Sequence, residues 1–392
     1  MPSWRASLRL AATAFLLTRL LVGAVGIAAA HWAGLSNRAA DFDPAHVTGG
    51  LLAAPFARWD TVWFLDIAHN GYPDVMHTAF FPLYPLLARG VGAPFASSLF
   101  GGLLVSLLAG IVALTVLHRL AYLELGERAA TATVWLVATF PAAFFLSAVY
   151  SEALFLALSI GSIYAARVDR WWLAGLLGGL AAATRSAGVL LLVALVVLWW
   201  THSERRPADL AKLALVPLGL LAYCLALSAG GLPFSAPFDA QKLWFREFAY
   251  PFAGVWDGVV AAFDGARQLL SGAKTPVYFT HAGGDPYVVA AHNLELFATL
   301  LAIVPMLIGA LRRLPLAYGL YALAALTMAL SYPVGPEPLM SLPRFALVLF
   351  PLFMWLGWWA ARRAWRLPLV GGVFMGLQLV AVAEFATWHW VA

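Results

Sequence analysis

Residues 55–87, PFARWDTVWFLDIAHNGYPDVMHTAFFPLYPLL, set Arg58, Asp60, Asp66, His69 and Asp74 among tryptophans, phenylalanines and prolines. A carboxylate can take a proton from a hydroxyl, and a guanidinium can hold a phosphate through two N–H groups. Charged groups among large aromatics beside lipid are costly unless something polar is there to be bound. The pattern predicts a short helix over 58–69, stopped at Asn70-Gly71. Trp59, Trp63 and Ile67 then line one edge at four-residue spacing, suited to the bilayer interface. Asp60 and Asp66, six apart, fall on largely opposite sides, so one does chemistry while the other supports structure. The plainer alternative is an Arg58–Asp60 pair that neutralises itself at a helix start within an interfacial aromatic belt.

Other candidates are scattered. Arg185 and Arg344 fall at helix ends on the side of this loop, where a guanidinium can meet an anion; the alternative for each is a headgroup anchor. Glu152 begins a helix just after Tyr150-Ser151, as a cap or as part of a cavity wall. Arg19 sits in mid-span and must face protein or water, with Glu384 a candidate partner. Asp41-Phe42-Asp43 is formally a DxD pattern, and His69 and His77 flank Asp74 without a recognised ligand spacing. A divalent metal is allowed but not expected. The single cysteine, Cys224, lies in an apolar run and reads as packing. No glycine-rich phosphate loop, GxSxG elbow or HExxH occurs.

The elements that carry these residues are dictated by composition. Hydrophobic residues make up 62% and charged residues 11% of 392, far from a soluble balance, so the solvent must be lipid. The basic start MPSWRASLRL resembles a signal peptide, but the apolar stretch after it is too long and contains Arg19, which predicts an uncleaved span. Eleven apolar segments are predicted as membrane helices: about 8–30, 98–119, 129–148, 150–166, 171–183, 186–201, 211–229, 290–310, 315–331, 343–361 and 367–390. Arg5, Arg9, Arg119, Arg128, Arg167, Arg170, Arg205, Arg206, Lys212, Arg312, Arg313, Arg362, Arg363 and Arg366 then share one side in short loops. By the positive-inside rule that side is cytoplasmic, so the net charge of +5 is not a nucleic-acid footprint. The outer segments are about 31–97, 230–289 and 332–342 within a single domain over 1–392, with no internal repeat. An active site must be built from these segments and the outer helix ends. A lipid or lipid-linked sugar flippase shares the composition, but the polar residues gather on one face instead of at the midplane, which favours an enzyme. A noncatalytic subunit of a membrane synthase is the third reading.

Several motifs resemble the PIG-V family. They are Arg58-Trp59-Asp60 with Ile67-Ala68 and Gly71-Tyr72, and Ala79-Phe80-Phe81-Pro82-Leu83-Tyr84-Pro85. They continue with Phe140-Pro141-Ala142 and the run Phe144 to Phe155, then Ala183-Thr184-Arg185-Ser186-Ala187-Gly188, then Ser341-Leu342-Pro343-Arg344-Phe345. Each is short, but they occur in order over about residues 55–350, while 230–289 has no match. The family consists of integral-membrane mannosyltransferases of GT-C architecture, whose eukaryotic members add the second mannose to the GPI anchor. The resemblance implies an all-α polytopic bundle of about 11 transmembrane helices whose large first outer loop carries short interfacial helices. It implies transfer of a sugar, mannose first, from a polyprenyl-phosphate donor to an acceptor hydroxyl on the outer face, with inversion. It places Asp60 as catalytic base, and Arg58, Trp59, Tyr72, Tyr84, Glu152, Arg185 and Arg344 as substrate-binding residues. Low lysine with abundant Ala, Leu, Arg and Trp suggests a GC-rich genome, hence a bacterial plasma membrane and a cell-envelope glycolipid, glycan or exported protein as acceptor.

Overall fold

The computed structural model describes residues 1–33, 43, 46–273 and 285–391. Among them the chain is all-helical, as lipid demands: a helix satisfies its own backbone groups where no water can. In chain order the helices are α1 (Trp4–Ala33), α2 (Thr61–Asn70), α3 (Leu83–Gly92), α4 (Ser98–Leu125), α5 (Glu127–Thr139) and α6 (Glu152–Arg167). Then come α7 (Trp171–Ala182), α8 (Leu191–Thr201), α9 (Pro207–Lys212), α10 (Leu215–Ala229), α11 (Ala236–Leu243) and α12 (Ala253–Ser271). Last are α13 (Pro286–Arg313), α14 (Leu316–Leu330), α15 (Leu342–Leu347), α16 (Phe350–Ala361) and α17 (Arg366–Ala386). Among the described residues, five helices are long and apolar enough to cross a membrane: α1, α4, the α9–α10 unit, α13 and α17. The protein is an integral membrane protein.

All eleven predicted segments are helical, with differences that have local causes. The segment expected over 129–148 ends as α-helix at Thr139 and continues as a 3-10 helix, Pro141–Leu146, because Pro141 has no N–H to give the turn before it. The segment expected over 343–361 divides into α15 and α16, with Pro351 opening the second. The short helix expected over 58–69 begins only at Thr61, since Trp59 adopts φ +55°. Its end is as predicted: Gly71, at φ +74°, donates its N–H to the Ile67 carbonyl. Residues 230–289, for which no element was predicted, carry α11 and the 19-residue α12.

Helix α4 is central and packs against α1, α3, α5 and α6. Its contact with α3 is a backbone crossing. A Cβ on Gly101 would lie 2.1 Å from the Ala88 carbonyl oxygen, so only glycine permits it. Phe15, Leu114, Leu117, Phe144, Phe155, Phe350 and Phe353 fill the shared core with no exposure. Arg19 lies in that core, but not against Glu384 as expected. Its guanidinium donates to the Ala143 carbonyl, to the Ala138 carbonyl (2.9 Å) and to Oε1 of Gln378 (3.0 Å). Gln378 is on α17 and donates its amide to the Phe140 carbonyl (2.6 Å). Carbonyl dipoles freed at the α5 break thus meet the buried cation, and no second charge has to be desolvated.

Candidate functional site

The loop leading to Asp60 is stitched to the α5–α6 connection. Val149 donates its N–H to the Phe56 carbonyl (2.8 Å), and the Tyr150 hydroxyl donates to the Arg58 carbonyl (3.0 Å). The same hydroxyl accepts the Asp60 N–H at 3.1 Å. Further on, Leu83 donates to the Ala183 carbonyl (3.1 Å), joining the start of α3 to the Arg185 turn. That turn is made by close approach: a Cβ on Gly188 would meet the Ala182 nitrogen at 2.3 Å. Glycine there lets the 3-10 helix Ser186–Leu190 sit against the end of α7, and this fixes where Arg185 starts. Four motifs separated by up to 284 positions (60 to 344) therefore meet at one end of the bundle.

What meets there is a chain of charges. Asp60 Oδ2 lies 2.9 Å from Arg344 Nη1. Arg344 also gives its Nε (3.0 Å) and Nη2 (2.8 Å) to Glu152 Oε1. Arg185 Nη1 reaches the same oxygen at 2.7 Å and lies 3.4 Å from the Ser151 hydroxyl. Exposure rises outward from the middle: Glu152 0%, Arg344 9%, Asp60 17% and Arg185 19% of the side chain. The Arg344 guanidinium also lies over Tyr150 (4.8 Å) and Phe145 (4.9 Å), faces that favour a cation. A buried carboxylate between two arginines, one of them, Arg344, fixed by aromatic faces, is a pre-organised arrangement whose outer members, Asp60 and Arg185, are partly exposed. Among the described residues Asp60 Oδ1 takes no hydrogen bond, so one carboxylate oxygen remains for a hydroxyl.

The structure brings Asp60, Glu152, Arg185 and Arg344 together and sends the remaining candidates elsewhere. Arg58 is 1% exposed and turns away from Asp60. It donates to the Ala386 carbonyl (3.2 Å), to its neighbour the Ala57 carbonyl (2.7 Å) and toward Thr48 Oγ1 (3.4 Å), and stacks over Trp388. The Arg58–Asp60 self-pair is therefore not formed. Burial lowers the Arg58 pKa to about 10, with Asp43 opposing. Trp59 donates Nε1 to the His389 carbonyl (3.2 Å), and its ring meets Trp388 and Trp390 edge-on. Tyr84 is fully buried, with its hydroxyl on the Gly102 carbonyl and the Ser106 hydroxyl. Tyr72 donates to the Phe80 carbonyl (2.8 Å) beside Tyr223. Trp63 packs on Phe80, His77 and Trp244 and is half-buried, whereas Ile67 is buried in protein and does not form the bilayer edge expected of it.

Asp66 and Asp60 fall in separate networks. His77 lies between Asp66 Oδ2 and Asp74 Oδ1, each at 2.8 Å, which braces the loop. Burial opposes charge on Asp74, yet the His77 hydrogen bonds hold its carboxyl below the usual range. Asp43 accepts from the Val47 and Thr48 N–H groups (2.8 and 3.0 Å), a turn-capping role. Its DxD partners Asp41 and Phe42 lie outside the described residues. The sequence reading passed over Arg246, in WFREFAYP. It lies close enough to Asp60, Arg185 and Arg344 to share their field, and burial, then Arg344, lowers its pKa to about 10. A lone arginine in an aromatic outer stretch was the available signal.

The signature of a mannosyltransferase family, PIG-V, matches residues 14–214. The rat (Rattus norvegicus) protein GPI alpha-1,6-mannosyltransferase 2 is 32% identical over 216 residues, covering 52% of this chain and 42% of that protein. The mouse (Mus musculus) protein of the same name is 35% identical over 203 residues, covering 47% and 40%. The matched part of the chain thus spans about two fifths of the length of these relatives. Among solved structures, the Archaeoglobus fulgidus oligosaccharyltransferase tethered to an acceptor peptide aligns with a TM-score of 0.47 and 12% identity, over 97% of this chain and 55% of that one.

Proposed function

The chain belongs to the PIG-V family of mannosyltransferases, and from that premise we propose that it transfers mannose from a polyprenyl-phosphate donor to an acceptor hydroxyl at the outer membrane face. The observation that carries this reading is the Asp60–Arg344–Glu152–Arg185 chain, with a carboxylate at one exposed end and a cation at the other. Asp60 Oδ1 takes the proton of the acceptor hydroxyl, whose oxygen attacks the anomeric carbon. The bond from that carbon to the lipid phosphate oxygen breaks, and its electron pair leaves with the phosphate. Arginines favour the charge that collects there. One carboxylate acting as base, with no covalent sugar intermediate, leads to inversion at the anomeric carbon. Arg344 holds Oδ2 and so fixes the rotamer of the base, while Glu152 fixes Arg344.

The test is transfer of radiolabelled mannose from polyprenyl-phosphate-mannose in membranes containing wild type or Asp60→Asn. Asparagine keeps the size and removes the base. A labelled product from wild type and a loss of about a hundredfold or more in the variant, at equal protein level, is expected. Equal activity of the two proteins overturns the assignment of Asp60.

A further inference from the structure

The charges at the site do not cancel. Asp60 and Glu152 balance Arg185 and Arg344, which leaves Arg246. Among the described residues no carboxylate lies within ion-pair distance of it, and its neighbour Glu247 is exposed. Arg246 donates Nη2 to the Met340 carbonyl (3.3 Å), and its guanidinium lies 5.3 Å from the centre of the Phe345 ring. At neutral pH it stays charged. A half-buried cation held on a carbonyl and a ring, beside two arginines already engaged, is a place for an anion brought from outside.

Two residues further on, the chain enters the wall of an apolar groove of about 540 Å³. Phe248 and Pro251 cover one end of it, and the Ala249 N–H is tied to the Ser331 carbonyl (3.1 Å). From there it runs between α8 and α14, along Val193, Leu320, Leu323 and Thr327. A cation two residues along the chain from the wall of an apolar trough fits a ligand with an anionic head and a hydrocarbon tail. We infer that Arg246 binds the phosphate of a polyisoprenoid monophosphate, and that the groove between α8 and α14 holds the first isoprene units of its chain. This rests on the donor reading above, of which it is the leaving group. Arg246 and α14 lie beyond the 14–214 stretch that matches the family, so the placement comes from the geometry. It also changes the division of labour expected from sequence. Arg344 and Arg185 are committed to carboxylates, and the cation left for the phosphate comes from the middle outer segment.

The experiment uses the full chain in lipid nanodiscs and a C55 polyprenyl monophosphate with a photoreactive diazirine on its second isoprene unit. Irradiation followed by peptide mapping should place the label on α14 or α8 of the wild type, a result that needs no variant to fold. Arg246→Ala should weaken binding of this probe by about tenfold or more, as loss of a charge-assisted contact does, and Arg246→Lys by less. Ala324→Trp, which fills the groove, should weaken binding of the C55 probe while binding of inorganic phosphate is unchanged. Label elsewhere, or full affinity in Arg246→Ala, overturns this inference and leaves mannose transfer by the wild type standing. If Ala324→Trp weakens inorganic phosphate equally, the groove is not a tail site. A wild type that neither binds the probe nor transfers mannose overturns both readings.

Discussion

Oε1 of Glu152 receives N–H groups from both Arg185 and Arg344, while its Oε2 is buried and has no hydrogen-bond partner among the described residues. Removing one partner of a buried pair leaves an uncompensated charge, a larger loss than the pair's own contribution. Glu152→Gln is therefore expected to destabilise the protein by about 3–5 kcal/mol, read as a lowered thermal midpoint in detergent. An unchanged midpoint would mean that solvent or a bound ion already screens the arginines. Each of Asp60, Glu152, Arg185 and Arg344 is visible in the sequence as a charge inside an apolar motif. The pairing of Glu152 with Arg344 is not, because it joins residues 192 apart. Arg58 misled the reading for a related reason. Adjacent charges invite pairing, but Trp59 in a left-handed conformation turns Arg58 and Asp60 to different sides.

Elements place these residues with small means. The Tyr150 hydroxyl bridges the Asp60 N–H and the Arg58 carbonyl, so one phenol sets the position of α2 relative to the start of α6. Tyr150→Phe keeps the ring beneath Arg344 and removes only that bridge. It is expected to cost about 1–2 kcal/mol of stability. It should also lower kcat by roughly tenfold through a misplaced base, with KM little changed. A proportionate rise in KM would instead make Tyr150 a binding residue. The five spans long enough to cross a membrane were legible because their signal is long and apolar, and the end of α2 because Asn70-Gly71 is a strong stop. Helix α12 was not. Its stretch, AGVWDGVVAAFDGARQLLS, mixes Asp257, Asp264 and Arg267 with apolar residues, and a search for apolar runs discards it. The small residues Gly258 and Gly265 then let it press on Leu339 and Ala290.

At the scale of the molecule, charge sets orientation and the site gathers at one end. By the positive-inside rule we propose, from the excess of arginine in the short loops, that the 202–206 turn lies inside and the α12 segment outside. In a protein whose native cysteine is replaced by Cys224→Ala, Ser271→Cys is expected to react with a membrane-impermeant maleimide in intact cells. Glu204→Cys should react only after permeabilisation. The reverse pattern would invert the topology and put the Asp60 end in the cytoplasm. The residues before α1 and those just past α17 are both held by the rest of the fold. Arg119 donates to the Pro2 carbonyl (2.6 Å), and the residues just past α17 grip the loop that carries Asp60: Ala386 and His389 supply carbonyls to Arg58 and Trp59, and Trp388 and Trp390 supply rings. A bulky group attached at Trp388 or Trp390 therefore pulls on the segment that holds Arg58 and Trp59, next to Asp60, so a label placed there to follow the protein is expected to disturb the proposed site it was meant to report on.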